Sequence, residues 1–132
     1  MTSPPSGPLE AVDPRSYLSL AGELAGRSES HLVRTAGDRA YYAAFLVSRN
    51  ILAEKGYAPR YVGASAHAEV TQALRTFLGE GLGNEENRLR RARNQLTYDT
   101  GAVIWSPGQS VQWMIDTAQE IVQAVMALPD NA

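Results

Sequence analysis

The chain has 132 residues, 44% of them hydrophobic, and a formal net charge of −2. That length makes one domain, able to bury a core without disulfides or a structural metal. The absence of cysteine excludes a disulfide framework, thiol catalysis and cysteine-ligated zinc, and His31 and His67 are too few for most histidine-built metal sites. No cofactor is expected. The mildly acidic balance argues against a general nucleic-acid coat protein but leaves room for one basic groove. No run approaches the ~18 apolar residues of a membrane span. Residues 1–12 lack the charged and apolar regions of a leader and read as a disordered tail. The expectation is a cytoplasmic helical domain over 13–129 with a short tail at 130–132, and no membrane contact.

Asp13-Pro14 gives the first helix signal, an N-cap residue before a proline at the first helical position. Tyr17, Leu18, Ala21, Leu24 and Ala25 follow at helical spacing, and Gly26 is the stop. Ser28 or Ser30 caps a longer second helix running to about Lys55. Its stripe of Ala36, Ala40, Ala43, Ala44 and Val47 invites close approach of a neighbour, and Gly37 marks another such point. Ser65 is read as the cap of a third helix carrying Val70, Ala73, Leu74 and Phe77. Gly79, Gly81 and Gly83 are read as its break, and Asn84 as the cap of a fourth. Ser106-Pro107 is read as the start of the fifth, with Val111, Met114, Ile115, Ala118, Ile121, Val122 and Val125 as its stripe. No period-2 segment of useful length occurs. Five helices joined mostly by short connections predict an all-α antiparallel bundle.

The fourth helix carries the most informative stretch, Arg88-Leu89-Arg90-Arg91-Ala92-Arg93-Asn94-Gln95-Leu96-Thr97-Tyr98-Asp99. Leu89, Ala92 and Leu96 form its buried stripe, while Arg93 and Asn94 lie off it. Asn94 and Tyr98 stand one turn apart. Arginine offers a planar fork matched to phosphate, so this face suits an acidic ligand. Arg88, Arg90 and Arg91 fit equally a solvated helix face paired with Glu85 and Glu86. Asp99 caps the helix end or holds Arg93. Asp38 and Arg39 either reach the same cleft or form an ordinary surface pair. Tyr41, Tyr42 and Phe45 read as core or interface, and His67 as a hydrogen-bonded structural histidine.

Arg39-Ala40-Tyr41-Tyr42-Ala43-Ala44-Phe45 and Arg93-Asn94-Gln95-Leu96-Thr97-Tyr98-Asp99, in that order with His67 between them, resemble the HEPN superfamily of small helical-bundle proteins. The resemblance covers roughly 14–128. It implies a twofold homodimer with the motif helices facing across a cleft, and RNA or nucleotide bound there. It also implies a role of toxin–antitoxin or defence type, in some groups with a minimal nucleotidyltransferase as antitoxin. In the ribonuclease members an arginine precedes a histidine by a few residues. Arg93 and Asn94 match, but Tyr98 stands where the histidine belongs. The resemblance thus makes Arg93, Asn94 and Tyr98 the catalytic candidates and Arg90, Arg91, Asp99 and Arg39 the RNA- or phosphate-binding ones. Tyr98 is also a candidate for adenylylation. A general base works best near the operating pH; histidine sits at about 6.5 and tyrosine at about 10. Weak or absent metal-independent ribonuclease activity is therefore expected, with a non-catalytic interaction module as the alternative.

Overall fold

The computed structural model describes residues 6–131, so part of the expected N-terminal tail (1–5) and Ala132 lie outside the described residues. Residues 6–12 are exposed and have no helix or strand. Five helices follow: α1 (Ser16–Ala25), α2 (Ser30–Glu54), α3 (Ala66–Leu78), α4 (Glu80–Tyr98) and α5 (Val111–Met126). The chain is all-α among the described residues, as its periodicity predicts.

The alanine stripe of α2 explains the architecture. Ala36, Ala40, Ala43 and Ala44 are fully buried, and α2 touches each of the other four helices. Small side chains let several helices crowd around one axis. Around it the core fills with Tyr41, Leu52, Val70, Leu74, Leu89, Met114 and Ile121, all fully buried or nearly so. Each large aliphatic side chain there contributes on the order of 1.5–3 kcal/mol through burial. At Gly37 an added Cβ would lie 2.5 Å from Leu96 Cδ1 and 2.9 Å from Met114 Sδ. That glycine is a close-approach point, as its place in the stripe predicts.

Helix direction follows from which ends meet. Asp38 pairs with Arg93 and Arg34 reaches past Leu96, so α2 and α4 are antiparallel. Thr71 meets Glu86 and Arg75 meets Asn84, so α3 and α4 are antiparallel too. The longer connections 55–65 and 99–110 bring the chain back. Consequently α5 runs with α2, Met114 beside Gly37 at one end and Lys55 on the carbonyl of Met126 at the other.

Five boundaries differ from the sequence reading, each for a local reason. The first is α1, which begins at Ser16; Asp13 and Pro14 form the turn before it, where Asp13 Oδ1 accepts from Arg15 N–H. Only Gly79 breaks α3 from α4, at φ 107, a backbone region that favours glycine. Gly81 and Gly83 are helical, and Asn84 lies inside α4 instead of capping it. Gly83 is small because α3 is close: its added Cβ would fall 2.2 Å from Arg75 Cγ and 3.0 Å from Arg75 N. Gly83→Ala is therefore expected to destabilise the protein by about 1–3 kcal/mol despite alanine's better helix propensity, read by chemical denaturation. Ser106-Pro107 belongs to a turn closed by Gln109 N–H on the Ser106 carbonyl; Ser110 is the α5 cap, accepting from Trp113 N–H at 3.0 Å. The α2 cap position is Glu29, with neither serine making a cap bond, and the Ser65 hydroxyl donates to Glu69 rather than receiving a backbone N–H. The chain past Pro129 is tied down, Asn131 bonding to the carbonyls of Lys55 and Gly56.

Candidate functional site

Helix phase splits the arginines of α4. Arg88 and Arg91, three residues apart, line a shallow hollow with Gln95, Ser106 and Gln109 beside the α4–α5 connection. Arg88 bonds Glu85 at 2.6 Å and lies over Trp113. Arg90 and Arg93 turn the other way, toward α2 and α3. Arg91 is thus separated from the remaining candidates, because one helix turn of three to four residues puts 88, 91 and 95 on one side and 90, 93 and 97 on another.

Arg93 is the centre of the second face. Its side chain is only 14% exposed, more enclosed than its off-stripe position predicts. Nε donates to Asp38 Oδ1 at 2.7 Å, Nη1 to Asn94 Oδ1 at 3.0 Å and Nη2 to Tyr42 Oη at 3.0 Å. The guanidinium lies 4.9 Å from the Tyr42 ring centroid, 5.8 Å from that of Tyr98 and 5.9 Å from that of Tyr41. Three of its five N–H groups are engaged in these bonds, which leaves two for a ligand. Asp38 also binds Arg39 at 2.5 Å, and Arg39 lies over Tyr17 and Tyr42. Burial alone would raise the Asp38 carboxyl, but the hydrogen bonds and charge of Arg93 and Arg39 outweigh it and hold the group below the ordinary carboxylate range.

Asp38, and not Asp99, is therefore the residue that holds Arg93. Asp99 is exposed at the end of α4, where its Oδ1 accepts from Gly101 N–H. That helix end is fixed by Arg34, whose guanidinium donates to the carbonyls of Leu96 (3.2 Å), Asp99 (2.5 Å) and Gly101 (2.6 Å). A cation on the last carbonyls suits the helix dipole. Arg34, Asp38, Tyr41, Tyr42 and Phe45 recur at three- and four-residue steps along α2, a polar-to-aromatic line readable in the sequence although Arg34 was not singled out there. Between α2 and α4 lies an open cavity of about 670 Å³ lined by His31, Arg34, Asp38, Arg93, Thr97 and Thr100 among others. Tyr98 is 75% exposed and is not part of that lining, although its ring lies 5.8 Å from the Arg93 guanidinium.

On the far side of Tyr41 is His67, stacked on Phe45 with centroids 4.2 Å apart and hydrogen-bonded through Nδ1 to Tyr41 Oη. Burial first, then Arg90 and Arg93, pushes its imidazole below the ordinary histidine value, so the ring is neutral at pH 7. Among the described residues Arg90 is paired with no carboxylate. Arg39, Arg93 and His67 thus meet the Tyr41–Tyr42–Phe45 rings, and Asn94 and Tyr98 join through Arg93, whereas Arg91 and Asp99 stand apart.

Glu86 is the residue that sequence reasoning misplaced. Read as a first-turn surface acid, it is fully buried, Oε2 bonded to the Thr71 hydroxyl and Oε1 without a partner. The cause is helix phase: residue 86 stands three before Leu89 and continues the stripe of Leu89, Ala92 and Leu96 by one turn, onto the buried face. Burial raises this carboxyl to about 7.

Among the described residues no group of three or more His, Asp or Glu could hold a metal ion, and no helix is long and apolar enough to cross a membrane. No family model matches the chain, and comparison with curated proteins and with solved structures finds no match.

Proposed function

We propose that the protein is a HEPN-type bundle that binds the phosphate groups of RNA or of a nucleotide on the Arg90–Arg93 face, with weak or absent metal-independent ribonuclease activity. The observation that carries this reading is Arg93. A half-buried carboxylate orients it, three aromatic rings lie within 6 Å of it, and two of its donors are left over beside an unpaired Arg90. Aromatic rings beside arginines suit single-stranded nucleic acid, whose bases stack while the backbone meets the charge. Tyr98 offers a large exposed aromatic surface to a second copy, in keeping with a twofold homodimer. A toxin or defence role in the cytoplasm belongs to the same proposal.

A second reading is a non-catalytic module whose arginines meet an acidic partner such as a minimal nucleotidyltransferase. The exposed apolar Ile104, 85% accessible in the α4–α5 connection, favours it. Purification with a stoichiometric partner and no RNA would support this alternative. Metal-free binding of single-stranded RNA at low salt would support the first. Tyr98→His is then expected to convert binding into measurable cleavage, by placing a base of suitable pKa beside Arg93. If Tyr98→His leaves RNA intact while binding persists, the nuclease-scaffold part of the proposal fails.

A further inference from the structure

Arg34 and Arg93 line the same cavity from facing helices, the open space of about 670 Å³ between α2 and α4. Both guanidinium groups are held in place by the protein itself. Arg34 uses four of its five N–H groups on Ser30 Oγ and on the carbonyls of Leu96, Asp99 and Gly101. Arg93 uses three, on Asp38, Asn94 and Tyr42. One N–H of Arg34 and two of Arg93 are left over. The acid nearby does not match this charge. Asp38 is the one acidic residue in the cavity lining, and it serves Arg93 through Oδ1 and Arg39 through Oδ2. Among the described residues Arg34 has no carboxylate partner, and the carbonyls it binds carry partial charges only. Three guanidinium groups therefore stand against one carboxylate, a surplus of two positive charges. The cavity also takes in Ser30 and His31, the first turn of α2, a helix end that favours an anion and whose cap position makes no side-chain bond to it.

We propose that this cavity is a site for a phosphate monoester, the terminal phosphate of a nucleotide or of an RNA 5′ end, held between Arg34 and Arg93. This rests on the phosphate-binding reading above and narrows it in two ways. Arg34, on α2, becomes the second anchor beside Arg93. A terminal phosphate is selected over one inside a strand. The reason is charge: a phosphate monoester carries about −1.5 to −2 at pH 7, which meets a surplus of two, whereas a phosphodiester carries a single negative charge. Two planar forks fixed by other bonds also suit an anion with three free oxygens, which a monoester offers and a diester does not.

Calorimetric titration of the full chain, with chelator present, tests this. The ligands are AMP and its methyl phosphodiester, which share base and sugar and differ in the charge on phosphorus. AMP is expected to bind about tenfold more tightly. Arg34→Gln is expected to erase that preference. Arg34 also ties down the end of α4, so Thr35→Glu is the second variant. Thr35 is exposed, lines the cavity and bonds only the His31 carbonyl of its own helix. A carboxylate there cancels positive charge without removing a bond between helices, and should erase the preference with the melting temperature unchanged. Arg91→Gln removes the same charge from the other side of α4 and should keep it. Equal affinity for the two ligands, or a preference that survives both Arg34→Gln and Thr35→Glu, overturns the proposal. Single-stranded RNA carrying a 5′-phosphate or a 5′-hydroxyl separates the two sources. Tighter binding of the phosphorylated strand assigns the cavity to a strand end, and equal binding of the strands beside a preference for AMP assigns it to a free nucleotide; each supports the site. RNA bound with neither AMP nor the 5′-phosphate recognised sinks the monoester site and leaves the phosphate-binding reading standing. Failure to bind RNA or AMP at all sinks both.

Discussion

At mildly alkaline pH, Glu86→Gln is expected to melt about 5–10 °C above the parent protein, and to lose most of the parent's pH dependence between about 4.5 and 7. Thr71 supplies the reason. Its single hydroxyl hydrogen faces both the His67 carbonyl at 3.0 Å and Glu86 Oε2. Both bonds form together only when Glu86 carries a proton and donates to Thr71. Ionisation takes Thr71 away from the carbonyl and leaves a charge in the core with Oε1 unpartnered. The sign follows from linkage. The folded carboxyl titrates at about 7 and the unfolded one near 4.5, so through that interval the folded state holds a proton that the unfolded state has released. Stability is full below about 4.5, falls as pH rises, and has lost about 3 kcal/mol above 7. Glutamine keeps the shape without the charge. Calorimetry of both proteins across this range checks it; parallel curves would show that Glu86 is already ionised at low pH in the folded state. Asp38 acts with the opposite sign and in another window. Its lowered value supplies stability above about 3.8, lost as acid carries the pH through the folded value below that.

Arg93→Ala should act on two readouts at once. It takes from Asp38, whose side chain is 16% exposed, one of its two arginine partners, leaving Arg39, and removes Arg93's bonds from α4 to Asp38 and Tyr42 on α2; a loss of about 1–2 kcal/mol is expected, discounted for the remaining exposure. It should also abolish RNA binding at low salt. The two effects separate in Asp38→Asn with Arg93→Ala, where the half-paired carboxylate is gone. Stability is expected to recover in part, and binding is not. Asp38→Asn alone leaves Arg93 in place and removes a negative charge from the cavity, so it should bind RNA as well as the parent or better. If Arg93→Ala destabilises but binds RNA normally, Arg93 is a structural strut and the anion site lies elsewhere.

The fold was legible because its signals are local. Stripes at 3.6-residue period, the alanine run of the second helix and the approach at Gly37 gave five helices packed as a bundle. Errors fell where a residue type has two uses. Gly81 and Gly83 read as breakers, yet Gly83 is small to admit Arg75. Glu85 and Glu86 read as a pair on the surface, yet one residue of helix phase, about 100°, sends Glu86 into the core while Glu85 binds Arg88.

The candidate site divides the same way. Residue type and spacing alone showed which side chains carry donors and acceptors, that Arg93, Asn94 and Tyr98 share a helix, and that each helix has one apolar face. Tertiary structure decided who meets whom: Asp38, 55 positions from Arg93, is its partner where Asp99 was a candidate, and His67 stacks within a cage from α2. Hydrophobic period fixes the face a helix buries but not the neighbour that covers it or the register between them. Those follow from how alanine and glycine let backbones approach, and they settle which charges lie within bonding distance.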